Sequence, residues 1–366
     1  MNLNSGDNFE TKLGNNGSIK IWRVITDIGL EGSLTGADLQ GINGNLNDNF
    51  VLGSNLDASA TKSWNINSGF TPLGDKDNKF TGDFDGLGHT ISNLYINRPS
   101  EDSIGLFGRV YLSDIQNIGL LDVDIKGHNR VGALVGSTAV SIVNNTFISG
   151  NVEAVDYVGG LVGYNYKSTL SYSHSTGTIN GNNYLGGLSG YDYQTSTNNS
   201  YSHMNVKGND RVGGLIGQVN TSTITNSYAK GDVKASEYVG GLIGNSFTTY
   251  IDTSYSTGNI EGISRVGGLI GFNYEQSSIL NSHTTGNVVG TESIGALVGH
   301  NSNSIINNTY TTGTTTGTKY VGGLVGLNTS KASIKNSHTI GKVKASYHVG
   351  GLIGFNNYLS TVENSY

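Results

Sequence analysis

Along most of the chain, apolar and polar residues follow a short alternating rhythm that pairs of glycine interrupt at regular intervals. The clearest block is the hexamer Val-Gly-Gly-Leu-Val-Gly with its near variants. Its first residue falls at Ile104, Val131, Val158, Leu185, Val212, Val239, Val266, Ile294, Val321 and Val349. Successive copies stand 27 or 28 residues apart, and a period held that closely identifies a stack of equivalent units. In the unit around Val239, Ile224, Asn226 and Tyr228 lie at i, i+2 and i+4, and Gly231 with Val233 continues the period of two. That alternation predicts strands, with Thr225, Ser227, Asp232 and Lys234 on the solvated face.

A 27-residue circuit is about 90 Å around at about 3.3 Å per residue, which suits three short strands with turns. Coils of this kind stack at about 4.8 Å per rung with hydrogen bonds along the axis. The crossover preference of parallel strands makes the stack right-handed. A leucine-rich repeat has a similar period, but its L-x-x-L-x-L-x-x-N spacing is absent. The expected fold is therefore all-β, a right-handed parallel β-helix (β-solenoid) of about ten 27-residue coils over residues 101–366. Residues 1–100 lack the register. They are expected to form an irregular β capping and leader region continuous with the solenoid, with strands at Ile19–Ile25 and Phe50–Leu56.

Aligned units give columns. One is apolar: Val143, Leu170, Thr197, Ile224, Ile251, Ile279, Ile306 and Ile334. Four residues on, an aromatic or imidazole column runs through Phe147, His174, Tyr201, Tyr228, Tyr255, His283, Tyr310 and His338. Between them lie Asn145, Asn199, Asn226, Asn281, Asn308 and Asn336, expected to bond from rung to rung as Asn ladders do in cross-β stacks.

Composition narrows the function. Charged residues make up 13% of the chain, net charge is −6, and only 21 residues are Lys or Arg. A nucleic-acid binder needs a dense basic face, so that class is set aside. No apolar run is long enough to span a bilayer. The first residues show no basic segment followed by an apolar one, so no secretory signal is read there. With no cysteine, disulfide stapling is excluded.

The segments Gly160-Leu161-Val162-Gly163 and Gly241-Leu242-Ile243-Gly244 resemble the GLUG repeat of bacterial surface proteins. Upstream, Phe80-Thr81-Gly82-Asp83-Phe84-Asp85-Gly86-Leu87-Gly88-His89-Thr90-Ile91 resembles the leader of large secreted adhesins, nearest to filamentous-haemagglutinin-like exoproteins of two-partner secretion systems. The resemblance implies a secreted, outer-membrane-associated cell-surface shaft working in adhesion, exported by a two-partner secretion transporter. GLUG repeats also accompany zinc proteases, but the eight histidines never form H-E-x-x-H. Neither a cofactor nor a metal is expected.

Several residues invite chemistry. Asp83 with Asp85 and Asp122 with Asp124 are carboxylates two apart, the arrangement a polysaccharide lyase or hydrolase would need. Asp-Gly turns account for them more simply. Sequons stand at Asn144, Asn198, Asn220, Asn307 and Asn328. The strongest candidate is the residue before each hexamer: Arg130, Tyr157, Tyr184, Arg211, Tyr238, Arg265, Ser293, Tyr320 and His348. At an exposed corner, Tyr157, Tyr184, Arg211, Tyr238, Arg265 and Tyr320 would form a ridge able to meet a host glycan or surface protein. The bland alternative is that their apolar stems merely cover the corner. The leading expectation is a non-enzymatic adhesin segment, with an enzyme and a purely structural spacer as alternatives.

Overall fold

The computed structural model describes residues 1–366 apart from Asn8, Asn15 and Tyr358. Each repeat makes one turn of a parallel β-solenoid. In the turn that begins at Thr223–Thr225, the chain runs on through Tyr228–Ala229, Val233–Lys234, Glu237–Gly240 and Ile243–Phe247. Each of these strands pairs in parallel with its equivalent in the next turn: Ile224 with Ile251, Tyr228 with Tyr255, Val233 with Ile260, Val239 with Val266 and Ile243 with Ile270.

The stack is longer than the ten coils expected, at about 13 turns. The parallel ladder reaches back beyond the hexamers through Ile115, Phe84 and Phe50 to Arg23. Phe50 pairs with Phe84, 34 positions on, and Phe84 with Ile115, 31 positions on. Insertions between strands lengthen these early circuits and hide them from a search at fixed period. One side of the first strand is covered by Phe9–Lys12, which pairs antiparallel with Ile19–Ile25. Large aromatics fill the early turns, with Phe80 set 4.9 Å from Phe107 and Phe84 5.3 Å from it.

One continuous hydrophobic core runs from Ile25 to Ile334, and a small second cluster of Trp22, Val24 and Val51 lies at the N-terminal end. Leu161 and Val162 are both fully buried, since the chain bends between them rather than alternating. The first and third glycines of the hexamer are glycine in all nine full copies, and the shorter first copy, Ile104-Gly105-Leu106-Phe107-Gly108, keeps two glycines. A Cβ on Gly159 would strike the carbonyl of Val162, and one on Gly163 would strike the backbone of Arg130 and Val131 in the preceding turn. The middle glycine is Ala133 and Ala296 in two copies, although a Cβ on Gly160 or Gly241 would strike the carbonyl of the equivalent glycine one turn on.

The period-two reading fails at one place. Asn226 lies in the left-handed region, φ 50°, as do Asn117, Asn145, Asn199, Asn281, Asn308 and Asn336. Asn is favoured there because it adopts positive φ readily. The chain turns at this residue, so Ser227, expected on the solvated face, is buried instead. The buried serines then build a ladder of their own. Ser200, Ser227 and Ser254 each donate a backbone N–H to the hydroxyl of the equivalent serine one turn on, at 3.2 to 3.3 Å. The amides of the turn column bond between turns in part, as where Asn308 Nδ2 donates to Asn281 Oδ1 at 2.6 Å.

Candidate functional site: an aromatic and guanidinium ridge

The residue before each hexamer is not at a corner between strands but second in a four-residue strand, as Tyr238 is in Glu237–Gly240, and its backbone there is left-handed. Arg130, Tyr157, Tyr184, Arg211, Tyr238, Arg265, Ser293, Tyr320 and His348 all have φ between 49° and 60°. Bulky side chains rarely adopt that conformation. Tyr157, Tyr184, Arg211, Tyr238, Arg265 and Tyr320 are half-buried, Ser293 is buried and His348 is exposed.

The side chains stack in two runs, Tyr157 to Arg265 and Tyr320 to His348, with the buried Ser293 between them. Tyr157 and Tyr184 lie 4.6 Å apart and nearly parallel. The guanidinium of Arg211 lies between Tyr184 and Tyr238, 5.0 and 5.2 Å from their ring centres, and Arg265 covers Tyr238 at 4.8 Å. Tyr320 meets His348 at 5.0 Å. Much of each ring face is thus taken up by its neighbours in the ladder, leaving edges and hydroxyls to the outside.

A second column, which the sequence reading did not single out, runs beside the first. Its register is Arg109, Ser137, Tyr164, Tyr191, Gln218, Asn245, Phe272, His300, Leu327 and Phe355. Tyr164 packs edge-on to Tyr157 at 5.8 Å and parallel to Tyr191 at 5.1 Å. Arg130 lies over Tyr164 at 5.4 Å. Two residues further along, Tyr166 and Tyr193 stack at 5.5 Å. Six tyrosines thus gather on two successive turns. The available signal was the Tyr-x-Tyr pair that follows the hexamer twice, in Tyr164-Asn165-Tyr166 and Tyr191-Asp192-Tyr193.

Burial sets the electrostatics. It raises the hydroxyl pKa of Tyr157 and Tyr164, and pushes that of Tyr191 up to about 12, so these groups stay protonated donors. His300 is pulled down to about 4 by burial and by nearby Arg265, and its Nε2 stands 2.9 Å from the Thr329 hydroxyl. Asp210 pairs with Arg211, and burial raises its carboxyl pKa against the lowering effect of that guanidinium.

The other candidates have structural partners. Asp83 pairs with Lys20 and accepts from the Asp114 N–H at 2.6 Å. Asp85 accepts from Leu87 N, Gln116 Nε2 and Asn117 Nδ2. Asp122 and Asp124 are exposed. The imidazole column is a surface stack: His174 lies 4.7 Å from Tyr201, and His283 4.6 Å from Tyr310. Among the described residues, no three His, Asp or Glu side chains stand close enough to share a metal ion. The sequon residue Asn328 is fully buried in an interior amide ladder, in which Asn301 Nδ2 donates to it and its own Nδ2 donates to Asn356.

The model of the GLUG motif matches residues 156–180, 208–234, 262–289 and 317–344. Each match contains one hexamer and one ridge residue, Tyr157, Arg211, Arg265 or Tyr320 in turn. The repeat named from the sequence is therefore present. A stretch of 125 residues is 42% identical to Halomucin of Haloquadratum walsbyi (strain DSM 16790 / HBSQ001), a match that takes in 32% of this chain and 1% of that protein. Among solved structures, a candidate immunoglobulin A1 protease from Bacteroides ovatus aligns over 74% of this chain and 77% of its own, at 20% identity and a TM-score of 0.49. An IgA1 protease aligns over 79% of this chain and 21% of its own, at 17% identity and a TM-score of 0.45.

Proposed function

We propose that this chain is a non-enzymatic segment of an extracellular, cell-surface protein, a stiff β-solenoid shaft whose aromatic and guanidinium ridge serves as an adhesive contact face. The GLUG repeats and the similarity to Halomucin support the extracellular setting. The observation that carries the contact face is the backbone of the ridge. Left-handed geometry costs an L-residue roughly 1–2 kcal/mol, and Asn or Gly would relieve it. In the turn column Asn mostly occupies that conformation, as at Asn117, Asn145, Asn199 and Asn226, with Tyr172 and Thr253 as exceptions. At the ridge, Tyr and Arg stand in its place. Strain retained at bulky, partly exposed side chains points to a use for those side chains, and Tyr and Arg are the residues that dominate binding hot spots.

The test replaces the side chains without disturbing the fold. The triple variant Tyr157→Asn, Tyr184→Asn, Tyr238→Asn suits the left-handed backbone and is expected to keep the β-type circular dichroism spectrum. Attachment of the purified chain to cultured epithelial cells should fall at least fivefold. Undiminished attachment by a folded triple variant would remove the ridge from the account and leave a spacer.

A further inference from the structure

Beyond residue 100 the chain has four arginines, Arg109, Arg130, Arg211 and Arg265, and all four lie in the ridge or in the column beside it. Lysines at Lys126, Lys207, Lys234 and Lys344 share one column of a different strand ladder. The ridge arginines lay flat guanidinium planes on rings, and two lysines join them on this face, Lys167 over Tyr166 at 5.2 Å and Lys319 over Tyr320 at 4.5 Å. The same face holds the six-tyrosine cluster of Tyr157, Tyr164, Tyr166, Tyr184, Tyr191 and Tyr193, every member half-buried.

Charge on this face is mixed. The cations Arg109, Arg130, Arg211, Arg265, Lys167 and Lys319 stand among the carboxylates Asp156, Asp210, Glu237 and Glu292, so the net charge is small. A polyanion gains little from such a surface. No large aliphatic side chain is exposed within the cluster, which leaves little of the apolar core that a protein interface is built around. What the cluster presents is ring edges, protonated hydroxyls, guanidinium N–H donors and carboxylate acceptors, in rows that repeat about every 4.8 Å along the axis. The rings are already held by their neighbours, so binding would cost little side-chain entropy.

We propose that the tyrosine cluster binds a neutral, linear polysaccharide lying parallel to the solenoid axis, its hydroxyls paired with the tyrosine, arginine and carboxylate groups and its C–H surfaces against the ring edges. This rests on the reading of the ridge as a contact face and specifies its ligand.

Isothermal titration of the full chain with cellohexaose and laminarihexaose tests it, with heparin hexasaccharide as an acidic probe and fibronectin as a protein probe. The test variant is Tyr164→Gln with Tyr191→Gln, since the repeat itself uses Gln218 at that position. Tyr201→His is the control, because His174 already fills its column. A neutral hexasaccharide should bind, weaken at least tenfold in the double variant, persist in the control, and be insensitive to added salt. Binding confined to heparin, or confined to fibronectin, overturns the neutral-glycan inference. If that binding still disappears in the double variant, the contact face itself stands. Binding of none of the probes also overturns the inference, while the cell-attachment comparison of the ridge triple variant decides separately whether the face is adhesive.

Discussion

Asp192 shows how far a single side chain can depart from its sequence context. It is fully buried, and its carboxylate accepts hydroxyl hydrogen bonds from Ser189 at 2.5 Å, Thr195 at 3.2 Å and Thr197 at 3.1 Å. Asn165 stands beside it in register, one turn earlier. Burial raises its pKa from 3.8, and the hydroxyl donors only partly offset this. The folded chain therefore holds this proton to higher pH than the unfolded chain. Its contribution to stability is complete below about pH 3.8 and is lost as pH rises through the folded value. Each pKa unit of elevation is worth about 1.4 kcal/mol. Asp192→Asn removes the titrating group, while the column elsewhere accepts Asn273, Asn301 and Asn328. Thermal melts of the two proteins across pH 3 to 8 should converge at the acid end and separate toward neutrality, with the variant higher. Parallel curves would mean that the burial of this carboxylate does not shape stability. Within the strand Ser189–Tyr193, alternation sends Tyr191 and Tyr193 to the outer face and Asp192 to the inner one, a position at which a carboxylate, unlike Asn, carries a titrating group into the core.

The strands and corners were legible to different degrees, for a physical reason. Strands announce themselves through side chains, and the buried column from Val143 to Ile334 and the stacked column from Phe147 to His338 emerge as the aligned repeats place them. Corners are set by backbone dihedrals, and only Asn and Gly betray those. The Asn column was therefore visible as a column, while its left-handed conformation and the inward turn of Ser227 were not. The candidate ridge was found by position alone, and its neighbour column with Tyr164 and Tyr191 was missed because its chemistry changes from turn to turn. Glycine gives a sharper test at this scale. A methyl group at Gly244 would collide with Val212 N, Gly217 O and the Arg211 backbone, all main-chain atoms that cannot rotate away. Overpacking of that kind costs roughly 1–3 kcal/mol or more. Gly244→Ala should therefore lower the melting temperature clearly. Gly241→Ala should cost stability as well, since its methyl would meet the main-chain carbonyl of Gly268, although Ala133 and Ala296 show that the chain can open at that position in other turns. An unchanged melting temperature in Gly244→Ala would show that the third glycine serves no close approach.

At the scale of the molecule, a stack in which each turn touches mainly its two neighbours behaves as a nearly one-dimensional system. Stability is then local in a way that a globular core does not permit, and a lateral contact face benefits, because a perturbed turn need not release the turns that hold a ligand. Ile251 is fully buried in the middle of the stack, pairing with Ile224 on one side and Ile279 on the other. Truncating such a residue to alanine typically removes about 2–5 kcal/mol. In native-state hydrogen exchange, Ile251→Ala should speed exchange at Tyr250–Asp252, Thr223–Thr225 and Ser278–Leu280. Protection in the strands of the tyrosine cluster, Val162–Tyr166 and Ser189–Tyr193, should stay within twofold of the parent. A uniform loss of protection along the whole chain would mean that the solenoid unfolds as one cooperative body, and a shaft of that kind would surrender its contact face whenever any turn was damaged.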